Sequence, residues 1–410
     1  MHTVLTVLAL LASFAASGIW PDGTPMDAWF SNTSNEIPVA ERRTFTITDF
    51  GAVPDSTLLQ TEAIQKAIDA AAGNGGTVVI PKGVWLTSSL FFKPHTHLRI
   101  EKDAVLKGSD EAFDFDVAQV HIEGKIQPYI AAIVNAYGVD GFTITGSGTI
   151  DGNGLRYWKE FWKRREVNRK CTNLEALRPR IIYIANSDDV HIEGITLKDS
   201  PFWTVHIYDC NRVRLKDLGI FAPRRPIKSP SSDAIDVDGC NDVHITGCRI
   251  STNDDFVAIK GGKGPWADTD PDNKTNARIL VEDCWFGEGP GPITFGSECV
   301  AARNVIVRNC VVDGSSHILL LKMRPDTPQN YEYILIENIS GTVHKFFAVS
   351  RWTQFFDLQG REDIPMSYAR HITMRNCKLN CSVFYDATEQ PDQYILEDIN
   401  LDDNGITLVK

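Results

Sequence analysis

The stretch Val243-His-Ile-Thr-Gly-Cys248 is one copy of a short motif that recurs along the chain and decides the fold. Each copy is an alternating strand of β-branched and apolar residues, followed by Gly, Asn or Asp and then a small or apolar residue. The other copies are Phe142-Thr-Ile-Thr-Gly, Val190-His-Ile-Glu-Gly, Val213-Arg-Leu-Lys-Asp, Ile279-Leu-Val-Glu-Asp-Cys, Val305-Ile-Val-Arg-Asn-Cys, Ile334-Leu-Ile-Glu-Asn-Ile, Ile372-Thr-Met-Arg-Asn-Cys and Tyr394-Ile-Leu-Glu-Asp-Ile. From Val190 onward the copies begin 22 to 38 residues apart, which leaves no room for a useful helix between them.

Further short apolar runs lie between the copies, such as Ala234-Ile-Asp-Val237 and Phe256-Val-Ala-Ile259. Several short strands in each repeat, with turns between them, are typical of one coil of a solenoid. The pattern therefore predicts an all-β fold, a single-stranded right-handed parallel β-helix, over residues 43–410. Thr61 to Ala72 carries small and apolar residues at helical spacing, and we expect this helix to cap the first coil.

Four of the nine cysteines, Cys248, Cys284, Cys310 and Cys377, occupy the same place in four copies of the motif. Equivalent positions on neighbouring coils stack about 4.8 Å apart. We therefore interpret these thiols as an internal ladder of small apolar residues rather than as disulfides.

The beginning of the chain predicts export. Val4 to Ala16 is an apolar run too short to span a bilayer, and small residues follow it, so residues 1–18 resemble a signal peptide. Residues 19–42 then form an N-terminal arm of unknown role. No later stretch reaches the ~20 apolar residues that a membrane span needs. We expect a secreted or periplasmic monomer without membrane insertion.

The formal net charge of −12 makes nucleic acid an improbable partner, because the protein would repel it. An acidic polysaccharide would be repelled as well, unless the site holds a local cluster of positive charge. No cysteine pair has metal-binding spacing, and we expect no metal and no cofactor.

The densest group of acidic residues is Asp233-Ala-Ile-Asp236-Val-Asp238, followed 21 residues after Asp233 by Asp254-Asp255. Residues one coil apart are neighbours in space, so Asp233, Asp254 and Asp255 should converge. Carboxylates so close repel one another, and at least one pKa should rise, as acid–base hydrolysis of a glycoside requires. The alternative is that these are turn aspartates, as Asp188-Asp189 and Asp402-Asp403 are expected to be.

Strand alternation leaves one question open. If Val257 and Ile259 face inward, only one of Asp254 and Asp255 can face outward, unless the strand begins with a turn. Basic residues recur at comparable places in the coils and predict a cationic stripe beside the acids. They are Arg224, Arg225, Lys228, Lys260, Lys322, Arg324 and Arg351. Candidate sugar-stacking residues are Trp203, Trp158, Trp162 and Trp266, for each of which ordinary packing is the alternative.

At these residues the chain resembles glycoside hydrolase family 28, the polygalacturonase family, over roughly residues 45 to 400. The similar segments are Thr46-Ile-Thr-Asp-Phe-Gly-Ala52, Ala63-Ile-Gln-Lys-Ala-Ile-Asp69, Ser200-Pro-Phe-Trp203, Ser231-Ser-Asp233-Ala-Ile-Asp236 and Asn253-Asp254-Asp255. The resemblance implies an inverting, metal-independent hydrolase of galacturonic acid linkages in pectin. It implies Asp255 as the general acid, with Asp233 and Asp254 holding and deprotonating the attacking water.

Two segments depart from the family pattern. Where many members have Gly-His-Gly, this chain has Phe295-Gly296-Ser297-Glu298, and the histidine is missing. Where the family has Arg-Ile-Lys, this chain has Leu320-Leu321-Lys322, and Arg324 is the nearest substitute for the lost arginine. The residues expected to bind substrate are Lys322, Lys260, Ser297, Glu298, Trp203 and Arg324.

Other functions remain open at this point. The same scaffold suits a polygalacturonase, an exo-galacturonidase or a rhamnogalacturonan hydrolase. A pectate lyase would require calcium, and a non-catalytic β-helix would bind polysaccharide without cleaving it.

Overall fold

The computed structural model describes residues 18–33, 42–73, 75–387 and 392–409. Its main chain winds through two large parallel sheets. The first sheet has 12 strands, and most of them are the motif copies. Its strands are Thr44–Thr46, Gly76–Ile80, Thr96–Ile100, Thr143–Gly146, His191–Glu193, Asn211–Lys216, Asn241–Thr246, Asn276–Glu282, Ala301–Arg308, Asn330–Glu337, Ser367–Arg375 and Tyr394–Asn400.

The second sheet has 18 strands and contributes two short strands to most coils. They are Gly83–Thr87, Leu90–Phe92, Ala104–Gly108, Val134–Tyr137, Thr149–Asp151, Ile182–Ala185, Thr196–Lys198, Val205–Tyr208, Gly219–Phe221, Ile235–Asp238, Arg249–Ser251, Val257–Lys260, Trp285–Phe286, Ile293–Phe295, Val311–Met323, Ser340–Arg351, Lys378–Ala387 and Gly405–Leu408. From Val311–Met323 onward one long strand replaces the two short ones.

The register confirms the repeat. Val243 lies opposite Val213 on one side and Ile279 on the other, and Val305 continues the row. The first apolar residue of each motif copy therefore stacks on its equivalent, which is the property that defines a parallel β-helix. Because these side chains point into the solenoid, they join one continuous core along the axis.

The cysteines confirm the internal ladder. All nine are free and buried. The thiol of Cys284 contacts those of Cys248 and Cys310 on the neighbouring coils. Small, weakly polar side chains at one repeated interior position explain this spacing, and no cross-link is required.

Several elements lie outside the coils. Helix α1 (Thr61–Ala72) buries Ile64, Ala67, Ile68 and Ala71 against the first strands. Helix α2 (Leu155–Val167), which the motif pattern does not predict, lies between two coils. An antiparallel hairpin pairs Val117–Ile122 with Lys125–Ile130. Short 3₁₀ helices are Ala28–Ser31, Ile47–Phe50 and Ala112–Asp114.

The expected signal peptide lies almost wholly outside the described residues. Part of the expected arm, residues 19–33, packs Trp20 and Phe30 onto Leu280, Ile306 and Leu335 on the outer face of the first sheet. Within the four described ranges, no helix has both the length and the apolar character needed to cross a bilayer.

Candidate active site

Three aspartates meet on the outer face of the second sheet. Asp233 precedes the strand Ile235–Asp238, while Asp254 and Asp255 precede the neighbouring strand Val257–Lys260. One carboxylate oxygen from each lies within 4.8 Å of the others. The spacing in the sequence brings them together because the two strands are adjacent and in register.

A bend before the strand Val257–Lys260 answers the question of alternation. Residues 253 and 254 form the bend, and regular strand pairing begins only at Val257. The strict in–out alternation of a strand therefore does not apply to Asp254 and Asp255. Both line the same pocket as Asp233.

Lys322 holds one member of this trio. Its Nζ lies 2.6 Å from Oδ2 of Asp255, and the hydroxyl of Thr294 donates to Oδ1 at 3.0 Å. Burial alone would raise the pKa of Asp255, but the charge and hydrogen bond of Lys322 outweigh burial and lower it. Asp255 is therefore held in its ionised form.

The pKa values of Asp254 and Asp233 are raised rather than lowered. Burial, followed by the repulsion of Asp255, raises the pKa of Asp254. Burial and the repulsion of Asp254 raise the pKa of Asp233 well above its usual range. These directions favour a proton on Asp254 or Asp233 over one on Asp255.

Lys260 lies under the trio and is almost fully enclosed. Its Nζ is 3.4 Å from Asp233, 3.3 Å from Asp236 and 3.3 Å from Glu298. The ammonium group donates to Glu298 and lies within ion-pair distance of the two aspartates. Lys260 lines the pocket and neutralises buried acids, and its contact with substrate stays a prediction.

Glu298 and Ser297 also line the pocket. Ser297 Oγ donates to Glu298 Oε1 at 2.7 Å. Burial opposes ionisation of Glu298, but Lys260 and Lys263 outweigh it and lower its pKa. Glu298 therefore places a fixed negative charge beside the site.

Trp203 does not have the free face that a sugar needs. One face stacks on Phe202 at a centroid distance of 5.1 Å, and Lys260 Nζ lies 4.1 Å from its ring centroid. The side chain is only 4% exposed. Trp203 lines the pocket, but Phe202 and Lys260 already lie over its ring, so contact with a sugar stays a prediction.

Arg324 is also placed away from the site. Its guanidinium makes two hydrogen bonds to Asp326, at 2.8 and 2.9 Å, and a third to the carbonyl of Gln354. It is 2% exposed and is not among the residues that line the pocket. These contacts tie the guanidinium to Asp326 and Gln354 rather than to the pocket, and the substitution for the missing arginine stays a prediction.

The cationic stripe is only partly present at the site. Lys228, Lys260 and Lys322 line the pocket, whereas Arg224 faces Glu288 at 3.6 Å and Arg351 bonds to Gln393. Among the other tryptophans, Trp162 reaches the pocket. Trp158 is buried and donates to the carbonyl of Ser200, and Trp266 packs under Arg361 outside the pocket.

The structure adds residues to the site that sequence reasoning missed. Arg165 comes from helix α2, Glu123 from the hairpin, and Trp352 and Phe355 from the end of the strand Ser340–Arg351 and the loop after it. These segments interrupt the repeat, so the spacing between motif copies carries no signal for where their side chains lie.

A parallel β-helix that carries clustered carboxylates in an open pocket defines a class of polysaccharide-processing protein. The model of glycosyl hydrolases family 28 matches residues 76–340. The chain therefore belongs to glycoside hydrolase family 28.

Among curated relatives, a probable polygalacturonase of Vitis vinifera is 31% identical over 53% of this chain and 44% of its own length. An endo-polygalacturonase of Pectobacterium carotovorum is 30% identical over 64% of each chain. The matched region thus spans about half to two thirds of these relatives. An exopolygalacturonase from Thermotoga maritima shares the fold, with a TM-score of 0.69 and 21% identity over 89% of this chain and 93% of that one.

Proposed function

We propose that this protein hydrolyses galacturonic acid linkages in pectic polysaccharide. The observation that carries the proposal is the aspartate trio, with oxygens within 4.8 Å of one another, in a pocket also lined by Arg165, Lys228 and Lys322. Acids in different protonation states supply the proton donor and the base for cleavage of a glycoside. The cations offset the repulsion between an acidic protein and a polymer of uronic acids.

Asp254 is the proposed proton donor. It is the most exposed of the three aspartates, and its raised pKa keeps a proton available. Asp255, ionised beside Lys322, is the proposed base, with Asp233 sharing the attacking water. Oxygens up to 4.8 Å apart can both contact one water at ordinary hydrogen-bond length.

Inversion is the proposed stereochemical outcome, as in the resemblance. The oxygens of the trio lie closer than the ~6.5–9.5 Å between carboxyl groups that is usual for inverting enzymes, so the product anomer is the decisive measurement. Proton NMR of the first product formed distinguishes the two outcomes.

The hairpin supports exo action. Its His121 bonds to Tyr183, stacks on Tyr208 at 4.2 Å and lies 2.6 Å from Asp238. These three partners belong to successive coils, and the last of these coils also carries Asp233. We propose that the hairpin covers the face along which a polymer would continue toward the N-terminal end of the solenoid.

The tip of the hairpin completes this barrier. Glu123 contacts Asn173 at 3.0 Å and Lys263 at 3.3 Å. Gly124 approaches so closely that a Cβ there would lie 2.8 Å from the Lys263 amide nitrogen. The hairpin tip thus joins the loop after helix α2 to the loop after the strand Val257–Lys260. We therefore propose that a chain end, rather than the middle of a chain, enters the pocket.

A rhamnogalacturonan substrate is the second candidate, because of Leu320. Leu320 stands where the family has an arginine, and it lines a second cavity with Ala348 and Trp352. Trp352 also lines the catalytic pocket, so the two cavities are adjacent. An apolar side chain there suits a neutral sugar next to galacturonate.

The test is incubation with polygalacturonate and with rhamnogalacturonan, following product length over time. Release of mono- or digalacturonate from the first minutes, with little loss of viscosity, is expected for exo hydrolysis. Activity that survives EDTA and gives no ultraviolet-absorbing product excludes a lyase. Failure to cleave either polymer or short galacturonides would refute the proposed function.

A further inference from the structure

His317 is connected to the proposed base, Asp255, through the hydroxyl of Thr294. Thr294 lies in the strand Ile293–Phe295, and His317 lies in the next strand, Val311–Met323. Thr294 Oγ1 is 3.0 Å from Asp255 Oδ1 and 3.0 Å from His317 Nε2. Thr294 is completely buried and His317 is 5% exposed, so water competes little for these bonds.

The direction of the protons along this chain is determined by its ends. Asp255 is ionised by Lys322 and only accepts, so the single hydroxyl proton of Thr294 points to Asp255. The oxygen of Thr294 must then accept from His317, which places the imidazole proton on Nε2. Burial lowers the pKa of His317 to about 4, so the ring is neutral and has one proton to donate. The charged groups that act on it are Asp255, Lys322 and Lys345.

The imidazole ring of His317 packs closely against Gly291, which has no side chain. A Cβ on Gly291 would lie 2.7 Å from His317 Cδ2, so the imidazole packs where a side chain on the preceding coil would otherwise stand. The segment that carries Gly291 and Thr294 is the one in which the family histidine is missing from Phe295-Gly296-Ser297-Glu298.

We propose that His317, acting through Thr294, is a positioning residue that orients the Asp255 carboxylate, and that it replaces from the next coil the support of the missing histidine. The inference rests on the proposed function, in which Asp255 is the base. A fixed donor to Oδ1 keeps Oδ2 turned toward Lys322, and it favours the ionised carboxylate. His317 itself does not contact the reacting atoms in this role.

The test compares Thr294→Val, which keeps the shape of threonine and removes the hydroxyl, with Thr294→Ser, which keeps the hydroxyl. Thr294→Val and His317→Leu are each expected to lower kcat by roughly 10-fold to 100-fold with little change in KM, because orientation is lost and binding is not. The acidic limb of the kcat/KM profile should move to higher pH, since a hydrogen bond to the ionised carboxylate is lost. Thr294→Ser should restore most of the activity.

The double variant provides an internal check. If both residues act through one path, Thr294→Val combined with His317→Leu should be no slower than Thr294→Val alone. His95→Asn, at an exposed turn far from both cavities in the chain, is the control and should behave like wild type. Thermal unfolding of each variant identifies losses that come from misfolding.

A second readout requires no substrate. Carbon-13 NMR titration of the aspartate carboxyl groups, with Asp255→Asn to assign the signal, should show a higher Asp255 pKa in Thr294→Val and His317→Leu. An unchanged pKa together with an unchanged kcat would overturn the inference, as would equal losses in Thr294→Ser and Thr294→Val. Inactivity of the wild-type protein on every pectic substrate would instead refute the proposed function, and the titration would still test the positioning role.

Discussion

Two lysines on the same face of the solenoid, Lys260 and Lys322, carry the same expectation from the sequence and have different surroundings. Lys260 is enclosed by Asp233, Asp236 and Glu298, with Nζ–oxygen distances of 3.3 to 3.4 Å. Lys322 contacts Asp255 alone, and its Nζ lies 4.8 Å from the ring centroid of Trp352.

This difference separates two regions: a structural region around Lys260, which stabilises the fold, and a chemical region around Lys322 and Asp255, whose expected role is in the reaction. Lys260 is surrounded by three acids, and its role is to neutralise carboxylates that would otherwise be buried without a counter-charge. Lys322 has two further protons, lines the pocket and sets the ionisation of Asp255. Substitutions at Lys260 should therefore lower mainly the stability of the protein, and substitutions at Lys322 should lower mainly its activity.

The largest effect is expected in the chemical region. Asp255→Asn should lower kcat by about 10² to 10⁴-fold, because the amide cannot accept a proton from water. The fold should be retained, since the amide oxygen can still accept from Lys322. Circular dichroism and initial rates check both statements. Asp402→Asn, at an exposed turn, is the control, and equal rates of the two variants would show that Asp255 is not the base.

The second effect compares the lysines directly. Lys260→Met should lower the free energy of unfolding at neutral pH by ~3–5 kcal/mol, because it removes the counter-charge of Asp233 and Asp236 and leaves Glu298 with Lys263 alone of its two lysines. Lys322→Met removes one partner only, so its cost in stability should be smaller and its loss of kcat larger. Urea unfolding and initial rates of both variants test this, and the reverse ranking would contradict the division into two regions.

The ionisation of Asp236, which pairs with Lys260, makes a contribution of definite sign to the pH dependence of stability. Burial raises the pKa of Asp236 to about 7, so the folded protein binds more protons than the unfolded chain between the ordinary value of 3.8 and about 7. The contribution of Asp236 to stability therefore falls as pH rises through that window. Without Lys260 the fall should be steeper, so the deficit of Lys260→Met should shrink as pH is lowered.

The smallest effect is expected at Arg324, which lies outside both regions. Arg324→Lys should leave KM for galacturonides unchanged, because the guanidinium is bound to Asp326 and does not line the pocket. A small loss of stability is expected from the lost two-point contact. A large rise in KM without unfolding would show that Arg324 reaches the substrate after all.

The repeat spacing predicted most of what the coils hold in common. The stacking of Val213, Val243 and Ile279, the thiol ladder at Cys248 and Cys284, and the meeting of the three aspartates all follow from one rule. Equivalent positions on neighbouring coils are neighbours in space. This rule does not predict the positions of Arg165 and Glu123 in the pocket, because these residues come from segments that interrupt the repeat.

The sequence by itself determined the solenoid, the position of the acidic trio and the family, because these depend on strand period and on residue types at repeated positions. Only the tertiary structure decided which carboxylate is ionised, that Lys260 and the faces of Trp203 are already occupied, and that His317 reaches Asp255 through Thr294. The physical reason is that protonation and hydrogen bonding depend on distances of a few ångströms between groups from different coils, and sequence spacing does not resolve such distances.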